Sequence, residues 1–280
     1  MSAADRAAPE VAVVGSANLD LVVRVPRRPA GGETLLGADP LRLPGGKGAN
    51  QAVAAARCGA AVEFTGCLGD DAEGRFLRER LAEAGVGTAG VAAGERPTGT
   101  ALILLTPDGE NSIVVSPGAN AELDAARADR ASDAWLGARV VVLNFEIPLE
   151  TVAHVAARAS DAGSRVLINA APAAGLGAAT LAVCDPLVVN EHEARGVLAA
   201  VEIAGEAASL STSAPASAPA PASAVTVTDG RGRAASGPVE PAPGFGDPGA
   251  LAERLLSAGA RSAVITLGAR GCVLAEAGAA

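Results

Sequence analysis

Aromatic residues are scarce in this chain of 280 residues: Phe, Trp and Tyr together make up 2% of it, and Tyr is absent. A surface that stacks nucleic-acid bases on aromatic rings is therefore not expected. Positive charge is also in deficit, because 22 Lys and Arg stand against 31 Asp and Glu, a net charge of −9. A general polyanion binder needs the opposite sign, so we expect no nucleic-acid partner. A small phosphorylated ligand remains compatible with the sequence, since one local loop can bind it.

Paired cysteines and long apolar runs are lacking as well. The four cysteines lie far apart without a C-x-x-C pair, so the spacing of a zinc site is absent. They are typical of buried, reduced thiols in a cytosolic protein. No run approaches the roughly 18 uncharged apolar residues of a membrane helix, and the start MSAADRAAPE has no signal-peptide core. We therefore expect a cytoplasmic protein with no membrane partner.

Small apolar residues are abundant, and their pattern predicts the fold class. Hydrophobic residues make up 49% of the chain, enough for a large core of Ala, Val and Leu. Short β-rich runs such as Val11–Gly15 alternate with Ala-rich helical runs. This alternation predicts an α/β fold, a doubly wound, mostly parallel sheet with helices on both faces. More exposed strands at about 18–43 and 98–116, the second range with a hairpin at Pro107-Asp108-Gly109, predict a small β-sheet appended to the main one.

The segment Ala204–Gly249 interrupts that alternation. It is of low complexity and rich in Pro, Ala, Ser and Gly, which predicts a mostly flexible surface insertion within a domain of residues 10–280. A short hairpin around Asp229-Gly230 is compatible with its sequence.

Two glycine triplets match G-x-G-x-x-G by letter only. One lies in the insertion, and the other, Gly85, Gly87 and Gly90, follows a helix and is predicted to cap it.

Two sites could bind a ligand. Pro44–Gln51 (PGGKGANQ) places glycines and Lys47 at the start of an Ala-rich helix, where oxygen-rich or anionic groups bind. A flexible turn with a solvated lysine is an equal alternative. Asn18 and Asp20 follow the first strand, where doubly wound sheets bind ligands. A carboxylate beside an amide suits vicinal sugar hydroxyls, although a turn stabilised by these side chains is the favoured interpretation of that site alone.

The order of the motifs along the chain carries a family resemblance. They are VAVVGSANLDLVV, GGETLLG, LPGGKGANQAVAAARCGA, GCLGDDAEGRFLRERLAEAGV, TGTALILLTPDGENSIVVSPGAN, LNFEIPLETV, INAAPA, VVNEHEA and VITLGARG. Together they resemble the ribokinase branch of the ribokinase/PfkB carbohydrate-kinase family over nearly the whole chain except Ala204–Gly249. The resemblance implies a lid over a sugar and an ATP-dependent kinase that converts D-ribose to ribose 5-phosphate. It also implies Mg²⁺, an activating monovalent cation (K⁺) and a homodimer formed through the lid.

The resemblance further implies which residues bind the substrates. The residues implied to bind the sugar are Asn18, Asp20, Gly46, Lys47, Gly48, Ala49, Asn50 and Glu146. The residues implied to bind the nucleotide are Asn190, Thr266, Leu267, Gly268, Ala269, Arg270 and Gly271. Glu193 of the N-x-x-E motif would act near Mg²⁺, which keeps several waters. Simpler alternatives stay open: a helix cap for Asn190, a helix-start acid for Glu146 and a solvated side chain for Arg270.

The sequence departs from the family at one motif. The family's proton acceptor and anion hole lie in D-x-x-G-A-G-D, after the strand that corresponds to VITLG. Here no such motif follows, and Gly244–Asp247 only imitates its letters upstream. We therefore expect the catalytic base to lie beyond Ala280, the K⁺ site to be missing, and the activity of this chain to be weak or absent, as in a truncated kinase. A non-catalytic sugar-binding or dimerising protein is the alternative.

The same departure leads to an expectation about stability. Family members cover that end of the sheet with later segments, so apolar side chains there should lose part of their cover. We expect a chain that is marginally stable or that aggregates through its C-terminal edge. The side chains concerned are Val264, Ile265, Leu267, Val273 and Leu274.

Overall fold

The computed structural model describes residues 8–209, 224–228 and 246–278, with side chains described for 8–203 and 246–278. The chain divides into two compact units, Met1–Val152 and Ala153–Ala280. None of the helices in the described ranges is long and apolar enough to cross a lipid bilayer.

Unit 1 contains a four-stranded parallel sheet in the order β8-β1-β4-β5 and a separate lid sheet. The strands are β1 (Val11–Val14), β2 (Asn18–Arg24), β3 (Leu41–Gly45), β4 (Val62–Gly69), β5 (Gly87–Gly94), β6 (Gly99–Leu105), β7 (Asn111–Ser116) and β8 (Val140–Asn144). The helices are α1 (Lys47–Arg57), α2 (Ala72–Glu83), α3 (Ala125–Arg130) and α4 (Leu149–Asp161), which continues into unit 2. The apolar run of β1 is buried, as expected for a strand in a parallel sheet.

The lid sheet has the order β3-β2-β6-β7. Strand β2 runs antiparallel to β3 and parallel to β6, and β6 and β7 form the predicted hairpin, with Gly109 at a φ of +84° in its turn. The small second sheet is confirmed, but its strands are shorter than predicted. Residues 25–40 form no strand, because Pro26, Pro29 and Pro40 supply no backbone donor for a ladder.

Unit 2 contains the strand order β11-β13-β12-β10-β9. Strands β9, β10 and β12 run parallel, and β13 runs antiparallel to both β12 and β11. Its elements are β9 (Arg165–Asn169), α5 (Ala178–Leu181), β10 (Cys184–Asn190), α6 (Glu191–Ser209), β11 (Ala224–Thr228), α7 (Pro248–Ser257), β12 (Ser262–Thr266) and β13 (Cys272–Glu276). The mostly parallel α/β class with a small second sheet is therefore confirmed.

The prediction that Gly87 and Gly90 cap a helix is wrong. Gly85 does follow α2 with a φ of +80°, but the other two glycines lie inside strand β5, beside β4. A Cβ at Gly87 would collide with the carboxylate of Glu63, and one at Gly90 with the hydroxyl of Thr65. These glycines therefore give room to side chains of the neighbouring strand rather than making a turn.

The segment 204–249 contains more regular structure than predicted. Helix α6 extends into it to Ser209, strand β11 lies within it, and α7 begins at Pro248. Strand β11 pairs with β13, so part of the segment belongs to the sheet. The turn expected at Asp229-Gly230 lies outside the described residues. Asp247, the imitation of the family's base, accepts hydrogen bonds from Gly249 N–H and Ala250 N–H as the N-cap of α7.

The expected loss of cover near the end of the chain is only partly seen. Ile265, Leu267 and Val273 are buried, because side chains alternate along a strand and one face of β12 and β13 packs on α7. Val264 and Leu274 are half-buried. Strand β13 is also not an edge, since β12 and β11 lie on its two sides.

The cysteines are only partly as predicted. Cys67 and Cys184 are buried, and burial raises the pKa of the Cys184 thiol to about 12, which makes it unreactive. Cys272 is half-buried. Cys58 is exposed, because it lies just beyond the end of α1 rather than on the buried face of that helix. All four are free thiols.

Candidate functional site

The connection between β1 and β2 packs directly against the start of α1. Ala49 N–H donates to Ser16 O at 2.8 Å. A Cβ at Gly46 would lie 2.7 Å from Ala17 Cα, and one at Gly48 would lie 2.7 Å from Ser16 N. Gly46 also has a φ of +89°. The loop therefore needs glycine both for its close packing against Ser16 and Ala17 and for its backbone conformation. The structure thus brings the glycine loop and Asn18, two parts of the predicted sugar site, together. We call this region of unit 1 the β1–β2 corner, comprising residues 15–20 and 45–50.

Glu146, which follows β8, reaches the same corner. Its Oε2 accepts hydrogen bonds from Ser16 Oγ at 2.6 Å and from Lys47 N–H at 3.0 Å. Lys47 Nζ lies 3.8 Å from Oε1, and the glutamate side chain is only 14% exposed. Glu146 thus binds the N-terminus of α1, where unpaired N–H groups favour a carboxylate. It does not act as a first-turn acid of α4, the simpler alternative.

Asp20 places a second carboxylate beside the corner. It lies on β2 opposite Leu43 of β3, and a Cβ at Gly45 would collide with its carboxylate. Burial raises the pKa of Asp20, and the negative charge of Glu146 raises it further. Two acceptor-only carboxylates held close together suit a ligand with several hydroxyl donors.

Two amide side chains complete the predicted set. Asn18 lies two residues before Asp20 on the same face of β2 and is 2% exposed. Asn50 is exposed in the first turn of α1, where its N–H donates to Gly46 O at 3.0 Å. The structure therefore brings all of the predicted sugar residues into one part of unit 1.

The sequence reasoning missed three buried polar residues that support this corner: Ser16, Asn120 and Asn144. Asn144 is fully buried at the end of β8; its Oδ1 accepts from Glu146 N–H at 3.1 Å and its Nδ2 donates to Gln51 Oε1 at 3.4 Å. A sequence feature could have indicated Asn144, because it is a polar residue at the end of an apolar strand run. Asn18 was chosen on a similar feature, its position after the first strand. Ser16 and Asn120 lie in quoted motifs but carry no signal that separates them from turn residues.

In unit 2, Asn190 and Glu193 bond to each other. Asn190 N–H donates to Glu193 Oε2, and Glu193 N–H donates to Asn190 Oδ1, both at 2.8 Å. This is a capping box at the start of α6, so the simpler alternative for Asn190 is present in the structure. The second carboxylate oxygen of Glu193 remains for a ligand. A single carboxylate fits Mg²⁺, which is held mainly by waters and substrate phosphates. Within the described residues, no group of three or more Asp, Glu, His and Cys could form a protein cage.

The predicted nucleotide loop follows β12 in unit 2. Leu267 N–H donates to Gly271 O at 2.8 Å and closes a short 3-10 turn, with Gly268 and Gly271 at φ values of +61° and +93°. The Leu267 side chain is buried, whereas Gly268 and Ala269 are exposed. The loop therefore presents backbone rather than bulky side chains to solvent.

Arg270 of that loop is neither free nor simply solvated. Its Nη2 donates to Glu191 Oε2 at 2.9 Å, and the glutamate side chain is 13% exposed. The ion pair ties the loop to the first residue of α6. Thr266 Oγ1 donates to Val189 O at 3.3 Å, and Asn169 Nδ2 at the end of β9 donates to Val188 O at 3.2 Å. The polar side chains of this region are thus mostly committed to the protein itself.

Comparison with known proteins places the chain among sugar kinases. Residues 8–231 match the domain described as pfkB family carbohydrate kinase. The chain is 38% identical over 203 residues to the ribokinase of Haemophilus influenzae, an alignment of 72% of this chain and 66% of that protein. It is 42% identical over 185 residues to the ribokinase of Bacillus subtilis, covering 66% and 63% of the two chains. The chain thus spans about two thirds of the length of these curated relatives.

The fold comparison agrees with the sequence comparison. The structure of Arabidopsis thaliana ribokinase complexed with ribose and ATP superposes with a TM-score of 0.74 at 27% identity, covering 98% of this chain and 77% of that one. The superposition thus covers nearly the whole chain. The chain belongs to the pfkB family of carbohydrate kinases.

Proposed function

We propose that this chain carries the sugar site and part of the nucleotide site of an ATP-dependent kinase that phosphorylates D-ribose to ribose 5-phosphate. The observation that carries the proposal is the β1–β2 corner, where Gly46 and Gly48 bring α1 onto Ser16, Lys47 lies beside Glu146, and the charge of Glu146 acts on the pKa of Asp20. The ribokinase names of the relatives and the ribose and ATP of the Arabidopsis structure support it.

In this proposal the corner binds and orients the sugar. Asp20 and Glu146 accept hydrogen bonds from sugar hydroxyls, and Lys47 donates to a sugar oxygen while remaining near Glu146. Gly46, Gly48 and Ala49 contribute close backbone contacts, with Asn50 at the exposed rim. Hydroxyls that donate to Asp20 would compensate for the burial that disfavours its charged form.

The nucleotide phosphates are proposed to lie along the loop Thr266–Gly271, whose glycines let a ligand approach the backbone. Glu193 would hold Mg²⁺ through its oxygen outside the capping box, directly or through water, and Asn190 would contact the phosphates. When bound, Mg²⁺ neutralises phosphate charge. Arg270 would keep its position in the loop through Glu191 rather than reach freely for a phosphate.

We also propose a homodimer formed through the lid. The strand registers place Leu41, Leu43, Ile113 and Val115 on the lid face that carries Asp20, and each of these four is 45–50% exposed. A contiguous apolar sheet face of this kind is typical of an interface. Sedimentation at tens of micromolar with ribose present should show a dimer. Leu43→Glu should give a monomer, whereas Leu36→Glu, at an exposed residue outside the lid strands, should not.

The activity is tested by measuring sugar binding and ADP release separately. Calorimetry with D-ribose, a second pentose, D-fructose and a nucleoside should show binding that favours ribose. Coupled ADP release should be weak or absent in the 280 residues, because the sequence holds no D-x-x-G-A-G-D motif to supply a base and an anion hole.

The same assay is then repeated on a chain that includes any sequence following Ala280 in its gene. Strong ADP release from that longer chain supports the kinase. Ribose binding without ADP release in both chains would favour the non-catalytic sugar-binding protein, and no sugar binding in either would overturn the proposal.

A further inference from the structure

Asn120 is a buried amide that no part of the proposed chemistry uses. It lies in the short 3-10 helix Gly118–Glu122 that follows the lid and is 1% exposed. Its Oδ1 accepts from Ala17 N–H at 3.0 Å. Its Nδ2 donates to Ala17 O at 3.1 Å and to Asn18 Oδ1 at 2.7 Å. Both ends of this side chain are therefore committed to the β1–β2 corner.

These bonds determine which way the amide of Asn18 faces. Ala17 N–H can only donate, so the end of Asn120 that meets it must be the oxygen. The nitrogen of Asn120 then meets the carbonyl of Ala17, and the atom that Asn18 presents to that nitrogen must be its own oxygen. The backbone of Ala17 thus fixes the orientation of two amides in succession, and Asn18 Nδ2 is turned away from Asn120.

Asn18 Nδ2 is consequently a donor without a protein acceptor. Within the described part of the chain, no atom accepts a hydrogen bond from it, although Asn18 is 2% exposed. The residue is buried as a whole, but Asn18 Nδ2 is not one of the fully enclosed polar atoms that lack a partner in the described residues, so this nitrogen reaches the surface of the corner. Since Asn18 shares its strand face with Asp20, the missing acceptor is expected on a ligand beside Asp20.

Gly99 makes the contact between the two amides possible. It lies opposite Asn18 in the register of β2 and β6. A Cβ at Gly99 would collide with both Asn120 Nδ2 and Asn18 Oδ1. Three separate segments of unit 1 therefore agree on this one arrangement.

We propose that Asn120 is a positioning residue that turns Asn18 Nδ2 toward the sugar as a hydrogen-bond donor. The inference rests on the sugar site proposed above. A hydroxyl carries one hydrogen, so a hydroxyl that donates to Asp20 has only lone pairs left for a second neighbour. Asn18 held in this orientation supplies the matching donor. The pair Asn18 and Asp20 then selects a sugar with a hydroxyl at that position and rejects the corresponding deoxy sugar.

The test is a double-mutant cycle on ribose affinity, measured by calorimetry alongside thermal unfolding. Asn18→Asp keeps the acceptor for Asn120 but loses the donor, and it should weaken ribose binding at least about tenfold. Asn120→Asp loses the donor to Asn18 and should weaken binding by a similar factor, although residue 18 is unchanged. The double variant should bind ribose with about the affinity of the single variant that binds it less tightly, because both substitutions remove the same hydrogen bond from Asn18 Nδ2 to the sugar. Asn111→Asp makes the same chemical change at an exposed residue of the lid and should leave affinity unchanged.

The possible outcomes separate this inference from the proposed function. Ribose affinity of Asn18→Asp or of Asn120→Asp within about twofold of the parent would overturn the inference alone, as would fully additive losses in the double variant. A parent chain that binds no sugar would overturn the proposed function and the inference with it. Should Asn120→Asp fail to fold, hydrogen exchange of the side-chain amides in the parent decides. Protection of the Asn120 amide, with Asn18 protected only when ribose is added, supports the orientation, and an Asn18 amide protected without ribose contradicts it.

Discussion

In the β1–β2 corner of unit 1, Ser16 bonds to Glu146 and Asn18 bonds to Asn120, partners that lie 130 and 102 residues away along the chain. In unit 2, Asn190 and Glu193 bond to each other across three residues. The first arrangement exists only once the whole unit has folded. The second arrangement, the capping box, needs only the first turn of α6. The corner is therefore preorganised by tertiary contacts, which is the property that precise ligand binding requires, whereas the unit 2 residues stabilise a helix and keep only their remaining atoms for a ligand.

A matched pair of glycine substitutions should show the largest difference between the two regions. Gly46 in the corner and Gly268 in the nucleotide loop both have positive φ, so alanine costs each about 1–2 kcal/mol of backbone strain. Only at Gly46 would the new Cβ also meet backbone, 2.7 Å from Ala17 Cα, whereas nothing lies within 4 Å of a Cβ at Gly268. Overpacking adds about 1–3 kcal/mol, so Gly46→Ala should lose about 2–5 kcal/mol of unfolding free energy. Urea unfolding measures both, and equal losses would contradict the close packing of the corner.

The next largest effect concerns ligand binding. Asp20→Ala removes paired, charge-assisted hydrogen bonds and should weaken ribose binding by about 2–4 kcal/mol, or roughly 30- to 800-fold. The fold should survive, because Asp20 lies on the lid and is only half-buried. Calorimetry with ribose measures the loss. Asp39→Ala is the control at an exposed acid of the same unit, and unchanged ribose affinity in Asp20→Ala would mean that Asp20 is a residue of strand β2 with no part in sugar binding.

The contrast between local and distant contacts also explains what could be predicted from the sequence. The strand and helix alternation, the hairpin at Pro107–Gly109 and the possible cap at Asn190 depend on neighbours in the chain, and all appear in the structure. The bonds of Ser16 and Asn120 depend on which residues the fold brings together, so no local pattern predicts them. Strand β5 was not predicted, because its glycines are explained by side chains of the neighbouring strand β4, which is a contact between distant parts of the chain.

The resemblance to a family supplied what local patterns could not. Composition and spacing left Lys47 as an equal choice between a ligand contact and a solvated side chain, and favoured a turn for Asp20. The structure gives the geometric reason why both residues belong to one region. Gly46 and Gly48 let the start of α1, which contains Lys47, pack against Ser16 and Ala17, and Gly45 leaves room for the carboxylate of Asp20. The ion pair of Arg270 with Glu191 was not anticipated, because it joins residues 79 apart.

A smaller effect is expected from dissecting the capping box of unit 2. Glu193→Ala removes the acceptor of Asn190 N–H and should cost about 0.5–2 kcal/mol of stability. Glu193→Gln keeps an acceptor and should cost much less. Both variants lose the carboxylate proposed for Mg²⁺, so both should weaken Mg²⁺-dependent ADP binding. Denaturant unfolding with and without MgADP separates the two roles, and unchanged MgADP binding in both variants would leave Glu193 with the helix cap alone.

The smallest expected effect is a gain in stability at the corner. Burial, aided by the charge of Glu146, raises the pKa of Asp20, so the folded protein binds this proton more tightly than the unfolded chain. The ionised carboxylate therefore lowers stability progressively as the pH rises from 3.8, the ordinary pKa of an aspartate, through the raised pKa of the folded protein, and it has no such effect at lower pH. Asp20→Asn should accordingly unfold at a slightly higher temperature than the parent at pH 7, with the difference shrinking as the pH falls toward 4. Thermal unfolding of both proteins across this range, with Asp39→Asn as the exposed control, measures it. A lower unfolding temperature for Asp20→Asn than for the parent at pH 7 would mean that the charged carboxylate stabilises the lid. It would contradict the proposal that sugar hydroxyls compensate for an unfavourable burial of Asp20.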